Sequence, residues 1–361
     1  MRRSVQRSLG VLPEGLISYR ETAMNLDEMS VKSDWLMPQR RLGDAASGAH
    51  SHRIVMACDE DYAMPLATAL RSLVDADRTG DSLEVIVLCS KFSPGMKEKV
   101  ANSLPESSVN IQWMEVELDL FSDLSTLPYI SKTTFARLLL PYCLPKGISK
   151  VLYLDSDILV LGDLTALWET DLEGHAFGAV VDSHSSINAE RLGITGGIAG
   201  QSDSLNGEYF NAGVLLIDLA KWRQDRLSDK AIDYLTANPD SRLADQDALN
   251  IASGGHWKRL DPRWNCLHHP SDGFNKMPAA NRPSIVHYAG SGKPWLAASL
   301  SVDRNFYDGF RGRTQFARSA GERSRDLVEH SWTSMKAFAR RHGITPLVRG
   351  WLGNRRQADC V

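Results

Sequence analysis

The 361-residue chain has no apolar run long enough to cross a bilayer; Phe135 to Leu144 is broken by Arg137 and Pro141, far short of the roughly 20 residues required. Cysteine is scarce. The five present (Cys58, Cys89, Cys143, Cys266, Cys360) are odd in number and show no CxxC spacing, which excludes a disulfide framework and a structural zinc site and fits a reducing cytoplasm. No signal-peptide core follows Met1-Arg2-Arg3, because Pro13 and Glu14 interrupt the apolar stretch. Internal repeats and low-complexity segments are lacking too. What remains is ordinary globular composition: 43% hydrophobic and 24% charged residues with 27 Gly and 15 Pro. Disorder, collagen and coiled coil are excluded, and the length suits one large domain or two small ones.

Net charge is also small, −3, but it is unevenly spread. From Arg311 onward eleven Arg plus Lys face four Asp plus Glu, a net of +7, which leaves −10 on residues 1–310. An acidic body is unsuited to gripping nucleic acid, whereas a basic tail suits an anionic lipid surface. Within that tail Val328, Trp332, Met335 and Ala339 share one helical stripe, with Leu327 and Phe338 beside it and Arg323, Arg325, Lys336, Arg340 and Arg341 around it. Leu347, Val348, Trp351 and Leu352 follow. The pattern predicts a basic amphipathic surface helix, the other reading being a terminal helix docked on the body. Residues 1–51 read as a polar arm or as the product of a misplaced start codon, 52–310 as the main domain and 311–361 as the tail.

Along the main domain RIVMAC (Arg53 to Cys58) predicts a buried strand and Met64 to Val74 a helix. A second round follows: LEVIVLC (Leu83 to Cys89), a helix opened by Ser93 and Pro94 and running to about Leu104, then VNIQWMEV (Val109 to Val116). This alternation implies parallel strands with right-handed crossovers and a ligand site at the carboxyl ends of the strands. Lys132 to Cys143 is expected to be helical, KVLYLDSDILV (Lys150 to Val160) to be a strand, EYFNAGVLLIDL (Glu208 to Leu219) another apolar run, and 231–236 and 245–252 helical.

Asp155 and Asp157 flank Ser156 at an apolar strand, where a turn of the backbone lets two hard oxygen ligands converge. A capped turn or a solvated pair would read the same. Phosphatases in which the first Asp of a DxD attacks phosphate carry Thr or Val two positions after the second, and Leu159 departs from that pattern. His287 ends a second apolar run and precedes Ala289-Gly290-Ser291-Gly292-Lys293. An isolated core histidine would look the same, yet one imidazole with two carboxylates suits Mn2+, glycines let a backbone approach phosphate, and Lys293 offers a point charge.

Taken in order, ACDEDYA (Ala57 to Ala63), TTFARLLLP (Thr133 to Pro141), KVLYLDSDILV, YFNAGVLLIDL (Tyr209 to Leu219) with LADQDALN (Leu243 to Asn250), and HYAGSGKPW (His287 to Trp295) resemble glycosyltransferase family 8, the retaining GT-A transferases that include bacterial lipopolysaccharide galactosyl- and glucosyltransferases. The likeness covers residues 53 to about 310. It implies an α/β, Rossmann-like GT-A fold with a mixed, mainly parallel sheet flanked by helices. It also implies hexose transfer, galactose or glucose, from a UDP-sugar to a saccharide or glycolipid hydroxyl.

By the same likeness Asp155, Asp157 and His287 would ligate Mn2+, with Mg2+ as an alternative. Ala57, Asp59, Asp61 and Tyr62 would hold uracil and ribose, Gly290 and Lys293 the diphosphate, and Arg137, Asp155, Asn211, Asp245 and Gln246 the donor sugar. Taken singly, Arg137 would read as a solvated charge, Asn211-Ala212-Gly213 as a turn and Asp245 as a helix cap. Gln246 stands where a retaining glycosidase would use a carboxylate nucleophile. Its amide favours a front-face route, with Asp245 as a transient nucleophile the alternative. Asp182 matches an acceptor position, and the glycine-rich stretch up to Asn206 reads as a loop that could close over the donor. The basic tail resembles the membrane-binding segment of lipooligosaccharide transferases, implying a cytoplasmic enzyme at the inner face of a membrane. A non-catalytic nucleotide-sugar-binding protein of the same fold is the competing class, to which Gln246 would be of no use.

Overall fold

Strand β1 (Arg53–Asp59) is buried on both faces, as its unbroken apolar run demands, and it sits in the interior of the sheet with a strand on either side. The computed structural model describes residues 52–79, 83–127, 130–192, 208–268, 277–278, 282–297 and 299–341. The expected arm over 1–51, the glycine-rich stretch 193–206 and the segment from Leu347 to Leu352 lie outside them.

From β1 the chain enters α1 (Ala63–Ala76), β2 (Leu83–Ser90), α2 (Pro94–Ala101) and β3 (Val109–Glu115). Ser93 starts α2 as foreseen, its hydroxyl accepting from the Met96 N–H with Pro94 in the first turn, although the helix stops at Ala101 rather than near Leu104. The stretch expected to be helical from Lys132 is a 3-10 helix, Lys132–Leu139, that passes into the short α3 (Leu140–Cys143) at Pro141.

The run from Lys150 to Val160 is divided. β4 (Lys150–Asp155) pairs with β1, whereas β5 (Ile158–Val160) belongs to a different sheet, so Ser156 and Asp157 form the joint between the two. There follow α4 (Thr165–Trp168), β6 (Phe177–Val181), α5 (Ser185–Arg191), β7 (Phe210–Asp218), α6 (Leu219–Gln224), α7 (Leu227–Ala237), α8 (Ala244–Ser253), β8 (Lys258–Arg259), β9 (Cys266–Leu267), β10 (Ile285–His287), α9 (Arg304–Arg311) and α10 (Ala320–Arg341).

The main sheet has the order β3-β2-β1-β4-β7-β6-β8, parallel except where β7 runs antiparallel to β4 and β6. It is the mixed, mainly parallel arrangement expected. Alternation along β1 sends Val55 and Ala57 to one core layer and Ile54, Met56 and Cys58 to the other. The first layer is closed by the 3-10 helix, α6, α7 and α8, the second by α1 and α2. The small sheet, β5-β10-β9, places His287 opposite Ile158, one residue from Asp157, which makes a local neighbour of a residue 130 positions away.

α9 packs on α1 through the fully buried Tyr307, and Tyr307 in turn meets Tyr288 and Trp295. α10 is tied down by its first half: Asp326 pairs with Arg304 at 3.0 Å and with Arg318, and the His330 ring is 2.8 Å from the Ser299 carbonyl. Leu327, Val328, Met335 and Phe338 remain exposed, so the helix is docked by one edge and turns an apolar stripe outward. Among the described residues no helix is long and apolar enough to cross a membrane.

Candidate active site

A cleft of about 590 Å3 opens at the carboxyl ends of β1 and β4, where β4 hands the chain to the second sheet. Of the fourteen residues singled out from the sequence it is lined by all but Asp61, which is exposed on the turn Glu60–Tyr62. Asp155, Asp157 and His287 stand together, each offering one ligand atom within 4.8 Å of the others. His287 Nε2 lies 3.2 Å from Asp157 Oδ1 and 3.7 Å from Asp155 Oδ2.

The proton on His287 can be placed by following its hydrogen bonds. The backbone N–H of Gly213 donates to Asn211 Oδ1 at 2.9 Å, so that oxygen is an acceptor, and Asn265 Nδ2 donates to it at 2.8 Å. Asn265 therefore turns its Oδ1 to His287 Nδ1, 2.9 Å away, and Nδ1 must carry the hydrogen. His287 then turns Nε2 towards the two carboxylates, and buried Asp157 Oδ1 has no other polar partner. One imidazole nitrogen and two carboxylates converging in this way are a donor set that fits a divalent cation, with Asn265 as the outer support of the imidazole.

Gly213 allows this convergence. A Cβ there would fall 2.2 Å from His287 Cε1 and 2.9 Å from Asp155 Oδ2, so only glycine lets β7 pass behind the cluster. Lys293 is buried, donating to the Tyr288 carbonyl at 2.7 Å and to Asp157 Oδ2. Burial alone would raise the Asp157 pKa, but Lys293 and His287 beside it hold the carboxyl well below the usual range. Gly290 has φ +76° with open space where a Cβ would be, so the backbone conformation, not crowding, selects glycine there.

The opposite wall is built on Arg137. Its guanidinium is buried between Asp155 Oδ1 at 2.8 Å and Asp245 Oδ2 at 2.7 Å, and it also donates to the Ala212 carbonyl. Burial works against its charge, yet the two carboxylates outweigh that and keep it protonated. Asp245 does not cap α8; it lies within the first turn, accepts from Thr134 at 2.7 Å and faces Arg137. Burial dominates its titration and pushes the carboxyl up to about 6 despite Arg137 and Thr134.

Beside it, Gln246 Oε1 accepts from the Ala212 N–H at 3.0 Å, and Asn211 Nδ2 donates to Asp182 at 3.3 Å. At the other end Asp59 takes hydrogen bonds from the Tyr62 N–H at 3.3 Å and from Ser131. Ser131, Thr134, Tyr153, Asn265 and Gly213 were not anticipated as site residues. Thr134, Tyr153 and Gly213 lay inside the motifs without being singled out, and nothing in sequence spacing brings Asn265 to His287.

Comparison with known proteins bears on the family. Residues 53–299 match the family described as Glycosyl transferase family 8. The chain is 27% identical over 277 residues to General stress protein A of Bacillus subtilis (strain 168), covering 73% of this chain and 94% of that protein. It is 22% identical over 305 residues to the lipopolysaccharide 1,2-glucosyltransferase of Escherichia coli (strain K12), covering 82% and 88% respectively. Among solved structures, the galactosyltransferase LgtC in complex with donor and acceptor sugar analogs superposes with a TM-score of 0.61 at 28% identity, over 76% of this chain and 99% of that one.

Proposed function

The chain belongs to glycosyltransferase family 8, and from that premise we propose that it transfers a hexose, galactose or glucose, from a UDP-sugar to a saccharide hydroxyl with retention of configuration, in the synthesis of lipopolysaccharide or another surface glycan. The observation that carries the reading is the convergence of Asp155, Asp157 and His287 in a cleft that Arg137, Asp245 and Gln246 also line. A divalent ion, Mn2+ or Mg2+, held by the first three would supply a Lewis acid next to the departing diphosphate.

The chain's own residues do the rest. Ala57, Asp59 and Tyr62 at the end of β1 receive uracil and ribose, with exposed Asp61 at most at the edge of that contact. Lys293 exchanges its bond to Asp157 for the diphosphate, and the Gly290 backbone approaches the same group. Cleavage of the sugar–phosphate bond develops positive charge at the anomeric carbon. Here the Gln246 carbonyl offers the negative end of its dipole, while Arg137, Asn211 and Asp245 hold the sugar hydroxyls. In the front-face route a leaving phosphate oxygen takes the proton of the acceptor hydroxyl as that oxygen attacks, so no enzyme carboxylate need be glycosylated. Asp245, committed to Arg137 and Thr134, is poorly placed to act as the nucleophile. Asp182 at the end of β6 faces the acceptor side. The outward apolar stripe of α10 and the basic residues around it favour attachment to an anionic membrane surface, consistent with a lipid-linked acceptor on the cytoplasmic face.

The test is release of UDP from a panel of UDP-sugars with Mn2+ or with chelator, comparing the intact protein with Asp157→Ala. Metal-dependent release from one donor, lost in the variant, is expected. Metal-dependent UDP binding with no turnover of any donor, with or without saccharide acceptors, would overturn the transferase reading in favour of a nucleotide-sugar-binding protein.

A further inference from the structure

Gln246 acts, in the reading above, through the negative end of an amide whose two ends are nearly equal in size, so something must decide which end faces the sugar. The fully buried carboxylate of Asp247, one residue further along α8, collects five donors. They are Arg191 Nη1 at 3.0 Å and Nη2 at 2.6 Å, the Tyr209 hydroxyl at 2.6 Å, Ser241 Oγ at 2.8 Å and the Leu243 N–H at 3.0 Å. Tyr209 thus commits its only hydrogen to Asp247. Towards Gln246, 3.2 Å away, it can offer nothing but an oxygen lone pair, and the amide must answer with Nε2. The Ala212 N–H, on the far side of the same amide, requires Oε1. The two demands agree.

We propose that Arg191, Asp247 and Tyr209 are positioning residues that hold the Gln246 amide in a single orientation, with its carbonyl end turned to the β7 side of the donor site. None of the three lines the cleft, so none touches the donor. Arg191 is the last residue of α5, whose Ile187 and Asn188 do line it. The bidentate Arg191–Asp247 pair therefore also clamps α5 to the start of α8, the helix that carries Gln246. Burial alone would favour an Asp247 protonated from solvent, which could itself donate to Tyr209 and leave that hydroxyl free to turn its hydrogen towards Gln246. Arg191 prevents this by keeping the carboxyl ionised.

The proposal rests on the transferase reading for its kinetic consequence but not for its geometry, and the experiment has an arm for each. Tyr209→Phe keeps the ring and removes the oxygen. Donor turnover should fall about three- to tenfold, the range expected for one hydrogen bond, with the donor KM within twofold of the parent. In a Gln246→Ala background the same change should have no further effect on turnover. An equal loss in that background, or a loss expressed in KM, would show a merely structural tyrosine and overturn the proposal.

The second arm requires no turnover. The Gln246 side-chain NH2 signal, identified by its disappearance in Gln246→Ala, should exchange with solvent at least tenfold faster in Tyr209→Phe. Unchanged exchange overturns the relay even if every donor proves inert, whereas faster exchange without turnover upholds the relay and rejects the transferase.

Discussion

Gly213→Ala is the sharpest test of the site geometry, because it adds one methyl group and removes no charge. The new Cβ would lie 2.2 Å from His287 Cε1 and 2.6 Å from Nδ1. Carbon–carbon contact needs roughly 3.5 Å, so the imidazole must retreat by about 1 Å. It has little room to do so, since His287 is 3% exposed, its strand is paired on both sides with β5 and β9, and Asn265 holds Nδ1. Overpacking of this kind costs about 1–3 kcal/mol, which here is divided between stability and the loss of one ligand from the cluster. Disturbed support of a metal ligand typically costs 10- to 100-fold in affinity, so Mn2+ affinity should fall by at least tenfold. The assays are Mn2+ titration by electron paramagnetic resonance and thermal unfolding with and without the ion. Melting of the metal-free variant should drop, and Mn2+ should raise its melting temperature less than it raises that of the parent. Parental Mn2+ affinity and parental stability together would refute the argument, because the methyl group would then have found space that the arrangement of β7 and β10 denies it.

Replacing Gln246 with Ala should lower turnover by about 100-fold, the scale of losing one group aimed at developing charge, with much less effect on donor binding; steady-state kinetics with separate UDP titration decides, and unchanged turnover sinks the role. In the metal-free protein Asp245 should titrate with a midpoint of about 6, read by carbon-13 NMR of the carboxyl. Because that lies above the roughly 3.9 of an unfolded Asp, its contribution to stability is complete below about pH 4 and is lost as pH rises through 6, a slope that Asp245→Asn should remove; a midpoint at or below 4 would contradict it. Leu327→Ser combined with Phe338→Ser should weaken binding to phosphatidylglycerol vesicles by several-fold while leaving Asp326 to anchor α10, and deletion of residues after Ala320 should abolish it; undiminished binding in both refutes the role of the tail.

The strands and crossover helices of the first half were legible because β1 and β2 carry nearly continuous apolar runs, β3 alternates apolar with polar residues and Ser93-Pro94 carries a capping signal, all of it local. The division of Lys150 to Val160 was not legible. Its apolar pattern runs straight through Ser156 and Asp157, and only the pairing of β5 with β10, set by residues 125 to 129 positions away, pulls the second half into another sheet. The 3-10 conformation of Lys132–Leu139 was similarly hidden, since Arg137 is drawn inward by two carboxylates that belong to β4 and α8. As an isolated charge on a helix it would face solvent.

A pattern runs through the site residues that were foreseen and those that were not. The foreseen ones, Asp155, Asp157, His287, Lys293 and Gln246, carry charge or a reactive dipole and stand in short local motifs. The unforeseen ones, Gly213, Asn265, Tyr209, Asp247 and Arg191, carry no reaction of their own; each sets the direction of a foreseen group across a long loop of chain. Asn265 selects the tautomer of His287, Gly213 makes room for it, and Asp247 through Tyr209 selects the face of Gln246. Chemistry of this kind depends on direction as much as on identity, because a lone pair or a carbonyl turned away from the donor contributes nothing to the transition state. Two chains could therefore share every motif residue and still differ greatly in turnover through such supports alone, and substitutions at the supports separate the presence of a catalytic group from its aim.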